Sequence, residues 1–462
     1  MQQSRKKRVD WPFYLYAAAF MLPVIVQQIV ASIFNFIDNF MVGTLGAASL
    51  AGVSVANKPY TVFMCLFFGL TGAGCILISQ YFGAKDEKTT QQVFAVQSIG
   101  SLILGTLFFV ILALFPREIM GIFVTEEATM EAGLAYLEVI KFSYIPAAIS
   151  MSCAPALRSV GKSRVPMIAS LIAMGVNIAL NSLLIFGLCG FPRMEERGAA
   201  LATVIARTAE AAFFVYLLAR KKTAFSLNIA CARKLPGEVM HTYVQKGIPL
   251  TVNEVFWSLG QMIFFWTYSR VQESALPALS LVDQVTTIVY ALTSGMASAA
   301  ITIVGNTLGA GDIPGARRKA NQLLRMALAI SSFCAVLGFG LSFAVPAVYT
   351  SLDASLRWIA TQLIFIQSIC VIPSALYSTC YSILRAGGDT RSAVMLDSGY
   401  MWIAVIPASL LCALVLPALG ISDVRIAFLV VQALMNAKII WALAIIRRGR
   451  WARNMTYGAA DS

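Results

Sequence analysis

The stretch "LRSVGKSR", from Leu157 to Arg164, returns later in the chain as "LRAGGDTR", from Leu384 to Arg391. Gly161-Lys162-Ser163 has the form of the end of a phosphate-binding loop. The complete loop requires another glycine where this chain has Ala156, so we do not predict a nucleotide site. The repetition itself is therefore the feature that needs an explanation.

The composition is that of a membrane protein. Hydrophobic residues make up 58% of the chain and charged residues only 12%, whereas soluble domains have about 45–50% and about 25%. Apolar runs of about 20 residues, each able to cross roughly 30 Å of hydrocarbon, recur throughout. A transmembrane β-barrel would instead show alternating segments of about 10 residues. We predict an all-α integral membrane protein.

Twelve apolar segments are predicted as transmembrane helices. They cover residues 14–38, 48–82, 90–115, 132–157, 166–188, 198–219, 242–269, 276–308, 319–347, 356–384, 393–418 and 424–446. The basic residues before the first segment precede no clear cleavage site, so we interpret that segment as a retained helix rather than a signal peptide.

The positive charge is distributed unequally between the connections. If both termini lie on one side of the membrane, that side holds 25 of the 35 Lys and Arg residues, and the other side holds six. Basic residues accumulate in cytoplasmic loops. We therefore predict that both termini are cytoplasmic, and the net charge of +13 is not taken as a sign of nucleic-acid binding. No loop is long enough for an ATPase domain, so either an ion gradient supplies the energy for pumping or the protein does not pump at all.

The repeated phrase belongs to a repeat of the whole chain. Pro23 matches Pro249, and "FGAKD" at 82–86 matches "LGAGD" at 308–312, with one constant offset. Six helices per copy keep the same orientation, so the copies should be related by a pseudo-two-fold axis along the membrane normal. The two phrases are then equivalent turns, in which glycine permits a tight bend and arginine is expected to anchor the turn at the headgroups. This predicts two pseudo-symmetric six-helix bundles.

Four polar side chains in the first copy indicate an ion site. The first span ends with Asp38, the fifth carries Asn177 and Asn181 on one face, and Thr203 lies one turn into the sixth. A carboxylate, two amide oxygens and a hydroxyl are hard donors that suit Na⁺, or a proton with waters. The alternative is that the amides and hydroxyl only join helices through hydrogen bonds. The residues alone leave both interpretations open.

Three acids lie within spans of the second copy. Glu254 follows Asn253 in the seventh span, Asp283 precedes Gln284 in the eighth, and Asp397 lies in the eleventh. Acids within membrane helices usually face a cavity or a partner. They could bind an ion or substrate, although Asp283 could equally be a cap or a partner of Gln284.

Two lysines and an Arg–Glu pair also lie in the spans. Lys58 and Lys438 either pair with these acids or extend to the headgroups. Arg207 and Glu210 are three residues apart, which predicts a structural ion pair.

Aromatic side chains accompany the acid of the seventh span. Phe256 and Trp257 could receive flat cations on their ring faces. With Asn253 and Gln284 they are our weaker candidates for lining a substrate cavity.

With these residues in place, the chain resembles the multidrug and toxic compound extrusion (MATE) transporters. The stretches that carry the resemblance are "FIDNFMVG", "QYFGAKD", "LRSVGKSRVPM", "VNIALN", "RGAALATVIAR", "GNTLGAGD" and "LRAGGDTRSAVM". The resemblance covers about residues 15 to 445.

The resemblance implies a secondary active antiporter and not an enzyme. Such a protein exports organic cations or other amphipathic compounds in exchange for Na⁺ or H⁺ by alternating access. It implies a multi-pass protein of the bacterial inner (plasma) membrane, with small-molecule substrates, no cofactor besides the coupling ion, and no nucleic-acid partner. We expect a monomer.

The family's site residues are carried over where this chain matches them. Its N-terminal site uses residues that correspond to Asp38, Asn177, Asn181 and Thr203, although many relatives have aspartate where this chain has Asn181. That departure removes one formal charge and leaves the choice of ion open. Glu254 resembles the acid of the seventh helix, and Asp397 resembles an acid of the eleventh helix in one branch.

Two further hypotheses are kept beside the antiporter. One is a flippase of lipid-linked oligosaccharides from the same superfamily, and the other is a membrane scaffold that transports nothing. Flippases commonly have extra helices, so the twelve predicted spans favour the antiporter. We predict an N-lobe over residues 1–222, a cytoplasmic connector over 223–241, and a C-lobe with a basic cytoplasmic tail over 242–462.

Overall fold

Twelve long helical segments follow one another along the chain, and we number them α1 to α12. The first six are α1 (Trp11–Gly43), α2 (Ala47–Ala56 and Lys58–Gly83), α3 (Glu87–Leu114), α4 (Glu127–Ile140 and Tyr144–Ser159), α5 (Arg164–Phe186) and α6 (Glu195–Ala219). The second six are α7 (Gly237–Val271), α8 (Leu276–Gly309), α9 (Ile313–Val348), α10 (Ala354–Ala386), α11 (Thr390–Ala418) and α12 (Val424–Arg448). Each contains most of one predicted span.

These segments come from a computed structural model that describes residues 10–124, 126–220, 224–348 and 353–456. Every regular element within those ranges is helical. The basic residues 5–8, the start of the predicted connector and the end of the predicted tail lie outside the described residues. The predicted lobe boundaries therefore stay predictions.

In the described ranges, eleven helices are long and apolar enough to cross a membrane. The remaining segment, α7, has 35 residues and is long enough, but it carries His241, Lys246, Asn253 and Glu254 and is therefore more polar. The second segment is broken at Asn57, just before Pro59. The all-helical architecture of twelve segments is confirmed.

The repeated motifs form equivalent turns. Asp86 accepts a hydrogen bond from the backbone N–H of Thr89 at the start of α3, at 3.0 Å, and Asp312 accepts one from Gly315 at the start of α9, at 2.8 Å. Such side chains satisfy N–H groups that a helix start leaves unpaired. The aspartate that ends "FGAKD" and "LGAGD" is thus repeated because it caps a helix in both copies.

The two bundles meet through four helices. Contacts join α1 to α8 and α2 to α7, which are equivalent pairs under the repeat, and α2 also packs on α8. The first half of α1 contributes Phe13, Ala17 and Phe20 to a core that includes Ala299 and Ile303 of α8. We call α1–α6 the N-lobe and α7–α12 the C-lobe.

The lobes approach most closely where residues 79–84 of α2 meet residues 303–310 of α8, which we call the seam. A Cβ atom on Gly83 would lie 2.0 Å from the backbone oxygen of Asn306, and one on Gly309 would lie 1.8 Å from that of Gln80. Gly83 and Gly309 are equivalent in the repeat, as are Gln80 and Asn306. Glycine is therefore required on both sides of the seam, because any side chain would collide with backbone.

The repeated phrases receive hydrogen bonds at this seam. Gln80 Nε2 donates to the backbone oxygen of Ala386, at the end of α10, at 2.7 Å. In the amide orientation that satisfies its neighbours, Asn306 Nδ2 donates to the backbone oxygen of Ser159, at the end of α4, at 3.2 Å. Each phrase is thus the point where one lobe accepts a bond from the other.

The first arginine of each phrase does not behave as a headgroup anchor. Arg158 donates to Gln27 of α1 at 2.9 Å, and Arg385 lies 5.4 Å from the centre of the Tyr381 ring on its own helix. Both guanidinium groups therefore have partners among the helices. The sequence expectation was wrong for these two arginines, because a position in a turn does not fix where a long side chain points. For Arg164 and Arg391 of the same phrases, which are exposed, it stays a prediction.

The segment after α12 closes over the same end of the molecule. Trp451 is 1% exposed, and its indole N–H donates to Ile446 at 3.1 Å. The backbone N–H of Met455 donates to Gln80 Oε1 at 2.7 Å. The C-terminal segment therefore joins the C-lobe to α2 of the N-lobe.

Candidate functional site

The four residues predicted as an ion site in the N-lobe lie together. Asn181 Nδ2 donates to Asp38 Oδ1 at 2.8 Å and to Asn177 Oδ1 at 3.0 Å. Asn177 Nδ2 donates to Thr203 Oγ1 at 3.3 Å. The chain of contacts therefore runs from α1 through α5 to α6.

Helix packing explains why these side chains meet. Asn177 and Asn181 are one helical turn apart on α5 and point to one side, and α5 packs against both α1 and α6. Asn177 is 1% exposed and Asn181 is fully buried. Burial of polar groups is costly unless they find partners, so the cluster must satisfy its own donors and acceptors.

One acceptor in this cluster is not satisfied by the described residues. Asn181 Oδ1 is buried and accepts no hydrogen bond from them. A buried unsatisfied acceptor costs about 1–3 kcal/mol. With the Asp38 carboxylate and the Thr203 hydroxyl, it provides hard oxygen ligands of the kind that Na⁺ prefers.

The predicted ion pair Arg207–Glu210 lies farther along α6, after Thr203. Arg207 NH1 lies 3.3 Å from Glu210 Oε2, and the Glu210 side chain is only 7% exposed. Arg207 also lies within electrostatic reach of Asp38. The sequence-based expectation of an i,i+3 pair is confirmed by this geometry.

Sequence reasoning missed the polar chain that continues from Glu210. Ser170 Oγ donates to Glu210 at 3.3 Å, Gln27 Nε2 donates to Ser170 at 3.1 Å, and Arg158 donates to Gln27 at 2.9 Å. Ser170 precedes Asn177 by two helical turns on α5, so helical spacing from the known candidates could have found it. The chain links the interior of the N-lobe to the repeated turn.

The C-lobe contains a second cluster, around Asp397. Lys438 Nζ lies 3.0 Å from Asp397 Oδ1, with side chains that are 5% and 14% exposed. Tyr377 Oη donates to the same oxygen at 3.0 Å, and Asn253 Nδ2 donates to Asp397 Oδ2 at 3.0 Å. Of the two interpretations of Lys438, pairing with an acid is the one that the geometry supports.

Asp397 lies in an unusual part of its helix. Residues Met395–Gly399 and Met401–Val405 of α11 form π-helical turns, which occur often at functional sites. Ser398 Oγ donates to Asn253 Oδ1 at 2.6 Å. Asn253 is 1% exposed, so it belongs to this buried cluster and does not face an open cavity.

The other C-lobe candidates lie elsewhere. Glu254 is half-buried on α7, whereas Asp283 and Gln284 are exposed on α8. Phe256 and Trp257 are each 42% exposed. Their roles in ion or substrate binding stay predictions.

Known proteins resemble this chain in both sequence and fold. The sequence pattern of the MatE family matches residues 23–183 and 249–410, one stretch in each lobe. The chain is 25% identical over 407 residues to a probable multidrug resistance protein NorM of Halalkalibacterium halodurans, covering 85% of this chain and 86% of that protein. It is 25% identical over 296 residues to a probable multidrug resistance protein YoeA of Bacillus subtilis. That match covers 63% of this chain and spans 64% of YoeA.

Solved structures share the fold. A crystal structure of a mutant of the Vibrio cholerae MATE transporter VcmN superposes with a TM-score of 0.83 and 18% identity, covering 96% of this chain and 99% of that chain. The family pattern occupies the same two helical bundles that the repeat predicts. The chain therefore belongs to the MatE family, the multidrug and toxic compound extrusion transporters, and is a multi-pass membrane protein.

Proposed function

We propose that this protein is a secondary active efflux antiporter that exports cationic or amphipathic small molecules in exchange for Na⁺ or H⁺. The observation that carries the proposal is the buried contact chain from Asp38 through Asn181 and Asn177 to Thr203, with its unsatisfied Asn181 oxygen. Relatives named as multidrug resistance proteins support export of small molecules. Family membership supports transport as the general activity.

The two lobes and the seam support alternating access. Contacts between the lobes are closest at one end, where glycines allow backbone contact between α2 and α8. On the proposed orientation, with both termini cytoplasmic, that end faces the cytoplasm. Access from the cytoplasm then requires the seam bonds of Gln80 and Asn306 to break.

The N-lobe cluster would couple this movement to an ion. An arriving Na⁺ or proton neutralises Asp38 and competes with the bond that Asn181 donates to it. Because Asp38, the two asparagines and Thr203 belong to three different helices, a change in their bonds alters the packing of α1 against α5 and α6. We infer that α1, which also packs on α8, transmits this change to the seam.

Flux in reconstituted vesicles tests the proposal. Purified protein is reconstituted with a fluorescent organic cation, and Na⁺ and pH gradients are imposed in separate experiments. We expect uphill movement of the dye under one gradient and its collapse when that gradient is dissipated. Folded protein that moves neither this dye nor other amphipathic compounds under either gradient would contradict the proposed function.

A further inference from the structure

The Asp397 carboxylate is paired with a cationic side chain of the same protein, Lys438. The ammonium group of Lys438 lies 3.0 Å from Asp397 Oδ1. It also lies 3.9 Å from the centre of the Tyr377 ring, whose negative face attracts cations. Both contacts fix a full positive charge beside the buried acid of the C-lobe.

Neutral donors complete the surroundings of this carboxylate. Tyr377 donates to Oδ1 and Asn253 donates to Oδ2, each at 3.0 Å. Na⁺ requires oxygen ligands rather than hydrogen-bond donors. An external ion at Asp397 Oδ1 would therefore have to compete with Lys438 and Tyr377.

The other charged groups near this cluster do not replace Lys438. Glu254 lies on α7 next to Asn253, and Arg385 of α10 lies within electrostatic reach of Glu254. Glu254 is within electrostatic reach of Asp397 but carries the same negative charge, and Arg385 forms no ion pair with Asp397 at contact distance among the described residues. Lys438 is thus the counter-charge of Asp397.

The N-lobe acid is arranged differently. The hydrogen bond to Asp38 comes from the neutral amide of Asn181, at 2.8 Å. The nearby guanidinium of Arg207 is itself paired with Glu210 at 3.3 Å. No lysine or arginine of the described ranges forms an ion pair with Asp38 at contact distance.

We propose that Lys438 is a tethered substitute for a coupling ion, so that the C-lobe needs no external cation at Asp397 and the N-lobe alone takes one up. The part that concerns coupling rests on the proposed antiport. The occupancy of Asp397 can be measured without any transport, so the two claims can fail separately.

Removal of the Lys438 charge should convert Asp397 into a site for an external cation. A buried carboxylate without a counter-charge is strongly destabilised, and it would recruit a proton or Na⁺. A small pocket between α8 and α10 is lined by Thr286, Tyr290, Thr293, Gln367, Val371, Ser374 and Ala375. Ser374 of this pocket and Tyr377 of the cluster are three residues apart and share a face of α10.

The test counts cations bound to purified, full-length protein at equilibrium. Bound Na⁺ is measured with ²²Na⁺, and protonated carboxyl groups are measured from their infrared C=O band. We expect Lys438→Met to gain one cation per chain by one of these measures, and Lys438→Met/Asp397→Asn to lose it again. Lys438→Arg keeps the charge and should match the wild type.

A further comparison does not depend on the Lys438 variants folding. In the wild-type background, Asp397→Asn should change neither the bound Na⁺ nor the carboxyl band. Loss of a cation in that variant, or a folded Lys438→Met protein that gains none, would overturn the proposal. Wild-type protein that transports nothing would contradict the proposed antiport. The number of bound cations could still be measured, so the proposal about Lys438 would still be tested.

Discussion

Gln80 and Asn306 occupy equivalent positions in the two repeats and donate equivalent hydrogen bonds across the seam. Gln80 donates to Ala386 at 2.7 Å, and Asn306 donates to Ser159 at 3.2 Å. Each acceptor is the residue that precedes the bend of a repeated phrase. The internal repeat therefore has a mechanical consequence, because both lobes are joined at this end by one pair of symmetric bonds.

A side chain at the seam should prevent the lobes from closing there. In Gly309→Val, the Cβ atom would lie 1.8 Å from the backbone oxygen of Gln80. Overpacking costs about 1–3 kcal/mol, which shifts the closed–open equilibrium roughly 5- to 150-fold. We expect faster hydrogen exchange at residues 79–84 and 303–310 and reduced dye efflux.

Gly340→Val is the matched control for the seam. It lies within α9, and a Cβ atom there meets nothing within 4 Å. It should exchange and transport like the wild type. If Gly309→Val behaved in the same way as this control, the seam would not be a gate.

Removal of the Asn181 amide should weaken coupling. In Asn181→Leu, Asp38 loses the bond that it accepts at 2.8 Å, and Asn177 loses its neighbour. Hydrogen bonds to charged groups are worth about 1.5–3 kcal/mol, so gradient-driven efflux should fall roughly 10-fold or more. Ser182→Ala serves as the control, because that hydroxyl donates only to Ile178 of its own helix. Equal efflux in both variants would remove Asn181 from the coupling site.

Loss of Asn253 should destabilise the C-lobe more than it alters the N-lobe. Asn253→Leu deprives Asp397 of a donor and removes the side-chain oxygen that accepts from Ser398 at 2.6 Å, although the backbone oxygen of residue 253 still accepts from that hydroxyl at 2.9 Å. Each buried group left unsatisfied costs about 1–3 kcal/mol. We expect a lower melting temperature in detergent, with hydrogen exchange increased mainly in α7 and α11. Ser280→Ala changes an exposed site on α8 and should melt like the wild type. If Asn253→Leu also melted like the wild type, this cluster would contribute nothing to stability.

The C-terminal segment should be a structural part of the seam. Trp451→Ala removes a side chain that is 1% exposed, whereas Trp441→Ala removes one that is 49% exposed. Buried Trp→Ala changes cost about 3–5 kcal/mol in soluble cores. We expect a lower melting temperature and faster exchange near Gln80 for the first variant only. Similar melting temperatures for the two variants would contradict this role.

Patterns that repeat or recur at helical spacing could be predicted from the sequence. The twelve spans follow from apolar length, and the equivalence of Leu157–Arg164 and Leu384–Arg391 follows from an offset that changes by only one residue along the repeat. Asn177 and Asn181 could be placed together because four residues make one helical turn. Their approach to Asp38 was one of two interpretations that the donor types left open, and the family resemblance favoured it, since 143 residues separate Asp38 from Asn181.

Contacts between helices that are distant in the chain could not be predicted from the sequence in the same way. Asp397 and Lys438 lie 41 residues apart on different helices, and nothing in either local sequence distinguishes a buried pair from a lysine that reaches the headgroups. Gln80 and Asn306 are isolated amides, which carry no signal by themselves. Their equivalence under the repeat could have identified them, but their acceptors are backbone oxygens, which any sequence would provide.

The most direct test of ion coupling through the N-lobe separates substrate exchange from gradient-driven transport. Vesicles with Asp38→Asn are compared with vesicles with Glu118→Gln, a change at an exposed acid on the predicted outer side of the membrane. We predict that Asp38→Asn still exchanges dye for dye without any gradient but no longer moves it uphill, while Glu118→Gln does both. Uphill transport at the wild-type rate in Asp38→Asn would contradict the central claim.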